Sequence, residues 1–243
     1  MTDDTALPDA APTAPVLSVI MPVYNEEATL DQVIERVLSL DLGVEIDLIA
    51  IDDGSADTSV AILNSIDDPR LRVVAHPQNR GKGAAIRSGL DAAKGEIVVI
   101  QDADLEYDPA QWADLLKPIL AGDADVVYGS RFLGDAAGMR WQNRLANKGL
   151  TMMTRVLFGT GITDMETCYK LIRLSVLDGL VLEANRFDIE PEITARLLRR
   201  GVDIHEMPIR YEARTHDDGK KIGWRDGIQA IRTLIKWRLR REV

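Results

Sequence analysis

From Val16 onward the chain alternates short apolar runs rich in β-branched residues with segments whose apolar residues recur at helical spacing, and this alternation restricts the fold more than any one motif does. Strands are expected at 16–21, 46–51, 71–75, 96–100 and 126–128. Helices are expected at 26–40, 83–93 and 109–120, with a further one capped by Asp57 or Ser55 that ends near Asp68-Pro69. Repeated strand–helix units imply an α/β fold, a mostly parallel sheet covered by helices. Past Gly129 the rhythm changes: a long helix at 143–158, an irregular turn leading into a strand across 164–173, a helix at 190–200, a strand at 202–211 and a final helix from Trp224. The expected division is a disordered lead-in over 1–15, one domain over 16–221 and a basic amphipathic helix over 222–243.

A chain of 243 residues is long enough to bury a full core without staples, and its single cysteine, Cys168, precludes an internal disulfide. A reducing cytosol is the expected compartment. The formal charge is −10, yet residues 220–243 hold eight Lys/Arg against Asp226 and Glu242; removing that +6 leaves −16 on the first 219 residues. Such an acidic body argues against nucleic-acid binding, whereas the basic end suits an anionic membrane surface. Residues 1–15 have neither a basic start nor an apolar stretch, so no signal peptide is expected, and no run of about eighteen apolar residues offers a membrane span. Membrane association is expected to be peripheral or through a membrane partner protein.

Chemistry gathers where strands end. Asp102, Asp104 and Glu106 directly follow the strand at 96–100, and a chain that stays extended would point all three to one side, where they suit a hard cation. Asp123-Ala124-Asp125 precedes a strand and reads as a solvated turn, since open α/β sheets bind ligands at the carboxyl ends of strands. The first strand ends in Met21-Pro22-Val23-Tyr24-Asn25-Glu26-Glu27. There Tyr24 offers an aromatic face to a base, or Asn25 simply caps a helix. In Asp52-Asp53-Gly54-Ser55-Ala56-Asp57, Asp52 faces the crevice as an acceptor while Asp57 caps; a plain turn also explains Gly54 and Ser55. Asn79-Arg80-Gly81-Lys82-Gly83 opens a helix, with glycines that admit backbone donors to a diphosphate and Lys82 adding charge, although Gly83 after Lys82 rules out a P-loop. His76, His205 and His216 have no ligand spacing, and Cys168 reads as a half-buried structural thiol.

Taken in order, Met21-Pro22-Val23-Tyr24-Asn25-Glu26, Asp52-Asp53-Gly54-Ser55, Asn79-Arg80-Gly81-Lys82-Gly83, Asp102-Ala103-Asp104 and Gly129-Ser130-Arg131-Phe132 resemble glycosyltransferase family 2, especially its dolichyl-phosphate mannose synthase-like branch. The resemblance runs from Val16 to the final helix. It implies a GT-A (Rossmann-like) fold with a C-terminal acceptor-side extension, a nucleotide diphosphate sugar as donor, Mg2+ or Mn2+, and inversion at the sugar carbon. By position it implies a donor nucleotide set of Pro22, Tyr24, Glu26, Asp52, Lys82 and Asp102, and metal ligands Asp102, Asp104 and Glu106; relatives often carry Gln where Glu106 stands. It implies an acceptor-phosphate set of Arg131, Arg144, Arg214 and Lys221, with Asp102, Asp104, Arg131, Arg214 and Lys220 as the catalytic group. Forked guanidinium donors suit a phosphate, and a late basic loop at 210–222 suits a leaving diphosphate; solvated surface charge explains Arg144 and that loop as well. The Gln-x-x-Arg-Trp signature of many processive members is absent after Asp164-Met165-Glu166-Thr167, which favours one sugar per reaction.

The expected activity is transfer of a hexose to a lipid-linked phosphate acceptor, a polyprenyl phosphate, at the cytosolic membrane face. An ionised phosphate attacks without a protein base. Transfer to a hydroxyl would require one, with Asp164, Glu166 and Glu190 as candidates. A third expectation is a silent module that binds a nucleotide sugar or tethers partners at a membrane. The final helix sets Trp224, Ile228, Ile231, Ile235 and Leu239 at helical spacing among basic residues, a pattern for a lipid interface or for packing on the domain. The helix at 143–158, with Met152, Met153, Val156, Leu157 and Phe158, is the other candidate to face lipid.

Overall fold

The computed structural model describes residues 15–213 and 223–240. Seven strands form one sheet: β1 (Val16–Val23), β2 (Glu45–Asp52), β3 (Leu71–Ala75), β4 (Ile97–Ile100), β5 (Val126–Asp135), β6 (Lys170–Arg173) and β7 (His205–Arg210). The order is β3-β2-β1-β4-β6-β5-β7. All neighbours pair in parallel except β6, which runs antiparallel to both β4 and β5. The sheet is therefore mostly parallel, as the alternating pattern implies. Its central strands are apolar on both faces, and every residue of β4 is buried because helices cover both sides.

The helices are α1 (Leu30–Leu38), α2 (Ser59–Ser65), α3 (Lys82–Ala92), α4 (Trp112–Ala121), α5 (Trp141–Phe158), α6 (Ile189–Arg199) and α7 (Trp224–Leu239). In α1, Leu30, Val33, Ile34 and Val37 are buried at the spacing of one helical stripe. Helix α6 is buried nearly all round from Ile189 to Ala195, because Glu190 and Thr194 meet Lys170 of β6 and Tyr128 of β5 while α7 and α5 pack on its other sides. The lead-in over 1–14 and the loop residues Arg214, Lys220 and Lys221 lie outside the described residues.

Several boundaries differ from the sequence expectation, each for a local reason. The first helix begins at Leu30, not near Glu26, because Asn25 takes a left-handed backbone (φ 54°) and forms a turn. Its side-chain oxygen accepts from Ala56 N at 2.8 Å and its own N–H donates to Ser55 Oγ at 3.0 Å, so Asn25 braces the next loop and does not cap. Neither Asp57 nor Ser55 is the N-cap of α2, a position held by Thr58; Asp57, one residue earlier, accepts from Ser59 N at 3.0 Å. Strand β1, expected to end at Met21, continues through Pro22 to Val23, whose carbonyl accepts from Asp53 N at 2.8 Å. The segment expected as one helix at 109–120 opens as a 3-10 turn over Pro109–Gln111, since Asp108 Oδ1 takes Ala110 N. Strand β5 runs seven residues past Tyr128, so Arg131 lies within a strand and not at its end.

Candidate functional site

Because β6 runs against its neighbours, its amino end lies at the same rim as the carboxyl ends of β1, β2, β4 and β5. That reversal carries the segment 164–170 to the edge where the strand-end motifs already meet. Two sub-sites result, joined by the ion pair of Lys82 with Asp102.

The first is built by β2, β3 and the entry to α3. Its organiser is Asp53, which sequence reasoning passed over in favour of Asp52. The buried Asp53 carboxylate accepts from Arg80 N at 2.9 Å, from Gly81 N at 2.7 Å and meets His76 Nδ1 at 2.7 Å, while His76 Nε2 meets Ser88 Oγ at 2.9 Å. Asp52 is only 3% exposed and takes Ser55 N at 3.1 Å, so its carboxylate stabilises its own turn. Pro22, Tyr24 and Glu26 line the neighbouring turn, each half-buried.

The glycine loop corrects an expectation. The N–H groups of Arg80 and Gly81 are committed to Asp53, and Ala84 N donates to Asn185 O at 3.1 Å. A Cβ on Gly83 would meet Ala184 O at 2.6 Å, and Gly81 at φ 96° presses its α-carbon on Asn185. These glycines permit two backbones to cross, the loop and the segment 184–186. They do not leave a cradle for a diphosphate, since the space a side chain would fill is taken by protein.

The second sub-site is built at the exits of β4 and β5. The three carboxylates after β4 do not converge. The chain does not stay extended: it bends over 103–107, and Leu105, between Asp104 and Glu106, takes a left-handed backbone (φ 60°). Asp104 Oδ1 accepts from Glu106 N at 3.2 Å, Glu106 Oε2 accepts from Tyr211 Oη at 2.8 Å, and Asp102 holds Lys82 Nζ at 2.7 Å. Among the described residues no group of three or more His, Cys, Asp or Glu is arranged to hold a metal ion. The donor set nonetheless suits a hard cation. Mg2+ commonly takes one or two protein carboxylates and completes its shell with substrate phosphates and water, and Asp102 and Asp104 offer oxygen of that kind.

Lys82 also lies 3.5 Å from Glu190, at the start of α6, and Glu190 in turn binds the fully buried Lys170. Burial alone would lower the Lys82 pKa. Asp102, with Cys168 and Glu190 behind it, outweighs burial and holds the ammonium well above its ordinary value. Cys168 is buried, not half-buried, and burial pushes its thiol well up, which suits a structural role.

Arg131 is gripped by Asp164 through Nε at 2.7 Å and Nη2 at 2.8 Å, and its backbone N–H donates to the same carboxylate. Glu206 fixes that acidic turn by accepting from Thr163 N and Asp164 N. The Arg131 guanidinium stacks 5.3 Å from the Tyr211 ring, and Tyr211 lies 5.1 Å from Tyr107, which lies 4.8 Å from Tyr169. A continuous line of contacts thus runs from Asp104 through Glu106 and Tyr211 to Arg131. On its far side the Phe132 ring is flanked by Arg131 at 5.9 Å, Arg144 at 6.0 Å and Lys148 at 5.4 Å. The fold therefore brings Arg131 and Arg144 to one ring and adds Lys148, which the sequence did not single out.

Of the three candidate bases, Asp164 is bound to Arg131 and Glu190 to Lys170. Glu190 Oε1 and Glu166 Oε1 are both buried without a hydrogen-bond partner among the described residues; Glu166 differs in that burial raises its pKa from 4.5 to about 7, with Lys170 only partly opposing. Lys170, Asp53 and the tyrosines were missed because a lone buried lysine or aromatic in sequence looks like any core or surface position. The one signal was a lysine opening a strand whose central residues, Leu171 and Ile172, are apolar.

A family model described as Glycosyl transferase family 2 matches residues 18–181. The chain is 30% identical over 213 residues to the undecaprenyl-phosphate 4-deoxy-4-formamido-L-arabinose transferase of Pseudomonas aeruginosa, a match covering 84% of this chain but only 60% of that protein. It is 29% identical over 233 residues to the polyprenol monophosphomannose synthase of Mycolicibacterium smegmatis, covering 91% of this chain and 86% of that one. In fold it matches glucosyl-3-phosphoglycerate synthase of Mycobacterium tuberculosis, solved in complex with uridine diphosphate, with a TM-score of 0.71, 25% identity and coverage of 92% of this chain and 80% of that one. The same enzyme with Mn2+, uridine diphosphate and phosphoglyceric acid gives a TM-score of 0.72 at 24% identity, a likeness of fold.

Proposed function

Since the chain belongs to glycosyl transferase family 2, with the GT-A fold, we propose that it is an inverting, divalent-metal-dependent transferase that moves a hexose from a nucleotide diphosphate sugar to a polyprenyl phosphate at the cytosolic face of a membrane. The observation that carries this reading is the adjacency of two opposite charge centres. The carboxylates Asp102 and Asp104 at the exit of β4 suit a metal diphosphate, and Arg131, Arg144 and Lys148 gather about Phe132 beside it, joined to the acidic side through Tyr211 and Glu106. Two relatives are named for transfer to polyprenyl or undecaprenyl phosphate, which supports a lipid phosphate as acceptor.

In this reading Pro22, Tyr24, Glu26 and Asp52 border the nucleoside, Lys82 and Asp102 the diphosphate, and Asp102 with Asp104 the Mg2+ or Mn2+. The bound cation supplies charge neutralisation at the leaving diphosphate. Glu106, whose carboxylate holds Tyr211, positions that tyrosine beneath Arg131. Arg131, fixed by its Asp164 fork, and Arg144 hold the acceptor phosphate near the sugar carbon, which substitutes proximity for a protein base. Arg214, Lys220 and Lys221 belong to this proposal as the basic loop over both phosphates. No helix among the described residues is long and apolar enough to cross a membrane, so the chain meets its acceptor from the surface or through a membrane partner protein.

A second reading, transfer to a hydroxyl, is favoured by one observation: Glu166 has the unpartnered oxygen and near-neutral pKa that a general base needs. Transfer of labelled hexose to undecaprenyl phosphate, across a panel of nucleotide sugars with Mg2+ or Mn2+, decides between them. The expected result is transfer that vanishes with chelator and falls on the order of a hundredfold or more in Asp104→Ala. Transfer to hydroxyl acceptors alone, lost in Glu166→Gln, selects the second reading. Nucleotide-sugar binding without turnover overturns both.

A further inference from the structure

Helices α5 and α7 each bury one face in the domain and turn a second apolar face outward. In α7, Ala230, Thr233, Leu234 and Trp237 are buried against α5 and α6, with Thr233 and Gln229 anchored on Asp188. On the opposite side Trp224 is 74% exposed and Leu239 75%, and Ile228, Ile231 and Ile235 lie exposed between them at intervals of three and four. In α5, Thr151 and Thr154 face inward while Trp141 (70% exposed), Leu145, Met152 and Val156 (76%) form the outward stripe. Val156 near the end of α5 and Arg238 near the end of α7 line the same cleft, so the two helices lie side by side. Packing on the domain and an outward lipid-type stripe, alternatives in the sequence, are thus both present on one helix.

Apart from the half-buried Asp226, the charges on these two helices are of one sign. Helix α5 carries Arg144, Lys148 and Arg155 and no carboxylate, and α7 carries Arg225, Arg232, Lys236 and Arg238 against Asp226, in a chain whose formal charge is −10. Glu183 engages Lys236 at 2.6 Å and Arg240 at 2.5 Å on the flank, leaving the outward stripes bordered by Arg232 and Arg238. A second copy docked through the same surface across a two-fold axis would set these cations against themselves. An anionic lipid leaflet matches both the sign and the apolar stripes, and exposed tryptophan is well placed at such a boundary.

We propose that the outward faces of α5 and α7 together form one docking surface for an anionic membrane leaflet, with Trp141 and Trp224 at the lipid boundary. The surface deepens the lipid-phosphate reading above and rests on it for its purpose: Arg144 and Lys148, which flank Phe132 at the candidate acceptor site, belong to the same helix as the α5 stripe. A membrane seated there delivers a lipid phosphate to those cations without a spanning helix.

The test uses the full chain with vesicles of phosphatidylcholine alone or mixed with phosphatidylglycerol. Expected are co-sedimentation with the mixed vesicles that weakens as salt rises, a blue shift of tryptophan emission as the two exposed indoles leave water, and a loss of binding of roughly tenfold or more in Ile228→Asp/Ile235→Asp and in Leu145→Asp/Val156→Asp. Trp112 and Trp237 are buried and contribute an unchanged background. Binding to neither vesicle, or binding that both double variants retain, overturns the proposal. So does a dimer without lipid that the variants dissolve, which makes the surface a contact between copies. Transfer to a short water-soluble prenyl phosphate separates the two readings: the double variants keep it, while its absence in the parent protein defeats the transferase proposal and leaves the vesicle result standing.

Discussion

The two halves of the rim are held by different chemistry. On the β2–β3 side a carboxylate binds backbone: Asp53 takes the N–H groups of Arg80 and Gly81 with the His76 ring, and Asp52 takes Ser55 N. On the β5–β6 side carboxylates bind buried cations: Asp164 holds Arg131, and Glu190 holds Lys170 and approaches Lys82. The first arrangement fixes loop shape. The second stores charge in a low-dielectric place, where an arriving anion or metal can redistribute it, and breaking it costs more because a stranded charge has no water to turn to.

The contrast predicts unequal costs. Asp164→Ala strands the Arg131 guanidinium and is expected to lower stability by about 3–5 kcal/mol in urea unfolding. Replacing both partners, as Arg131→Met/Asp164→Leu, is expected to recover much of that loss. If the single and double variants are equally destabilised, the charge-storage account of this half is wrong. Asp53→Ala leaves two N–H groups and an imidazole without their acceptor, an expected loss of roughly 2–3 kcal/mol accompanied by weaker donor binding, since the loop that carries Lys82 loses its anchor. A loss as large as that of Asp164→Ala would erase the difference between the halves.

Glu166→Gln sharpens the comparison through pH. The folded carboxyl titrates at about 7 against an ordinary 4.5, chiefly because it is buried. Between those values the native state keeps a proton that the unfolded chain has released. Stability therefore falls as pH rises through this window and levels off above it. Glutamine cannot ionise, so the variant is expected to match the parent protein near pH 4 and exceed it by on the order of 3 kcal/mol at pH 8. Parallel stability–pH curves for the two proteins would show that Glu166 is solvated in the native state.

Much of the architecture was legible because it rests on local regularities. Apolar runs at strand length, helical periodicity and glycine or proline between them predicted a mostly parallel sheet, and the ends of β3 fell where the sequence put them. The strand-end motifs were legible too, and their order pointed to the family. The internal geometry of the site was not. Alternation along an extended chain set Asp102, Asp104 and Glu106 on one side, whereas the chain bends over 103–107, with Leu105 in a left-handed backbone between Asp104 and Glu106. Sequence spacing cannot report such a turn, because nothing in leucine favours it; contacts elsewhere impose it.

What the sequence determined by itself was the list of groups and the edge at which they emerge, since periodicity and strand polarity follow from local backbone physics. Only the tertiary structure decided which of them meet. The reversal of β6 brought Asp164 to Arg131 and Lys170 to Glu190, pairs 33 and 20 residues apart. Packing of α7 through its Ala230–Trp237 face likewise decided that the Ile228–Leu239 stripe looks outward, because a helix with two apolar faces carries no instruction about which one the core will take.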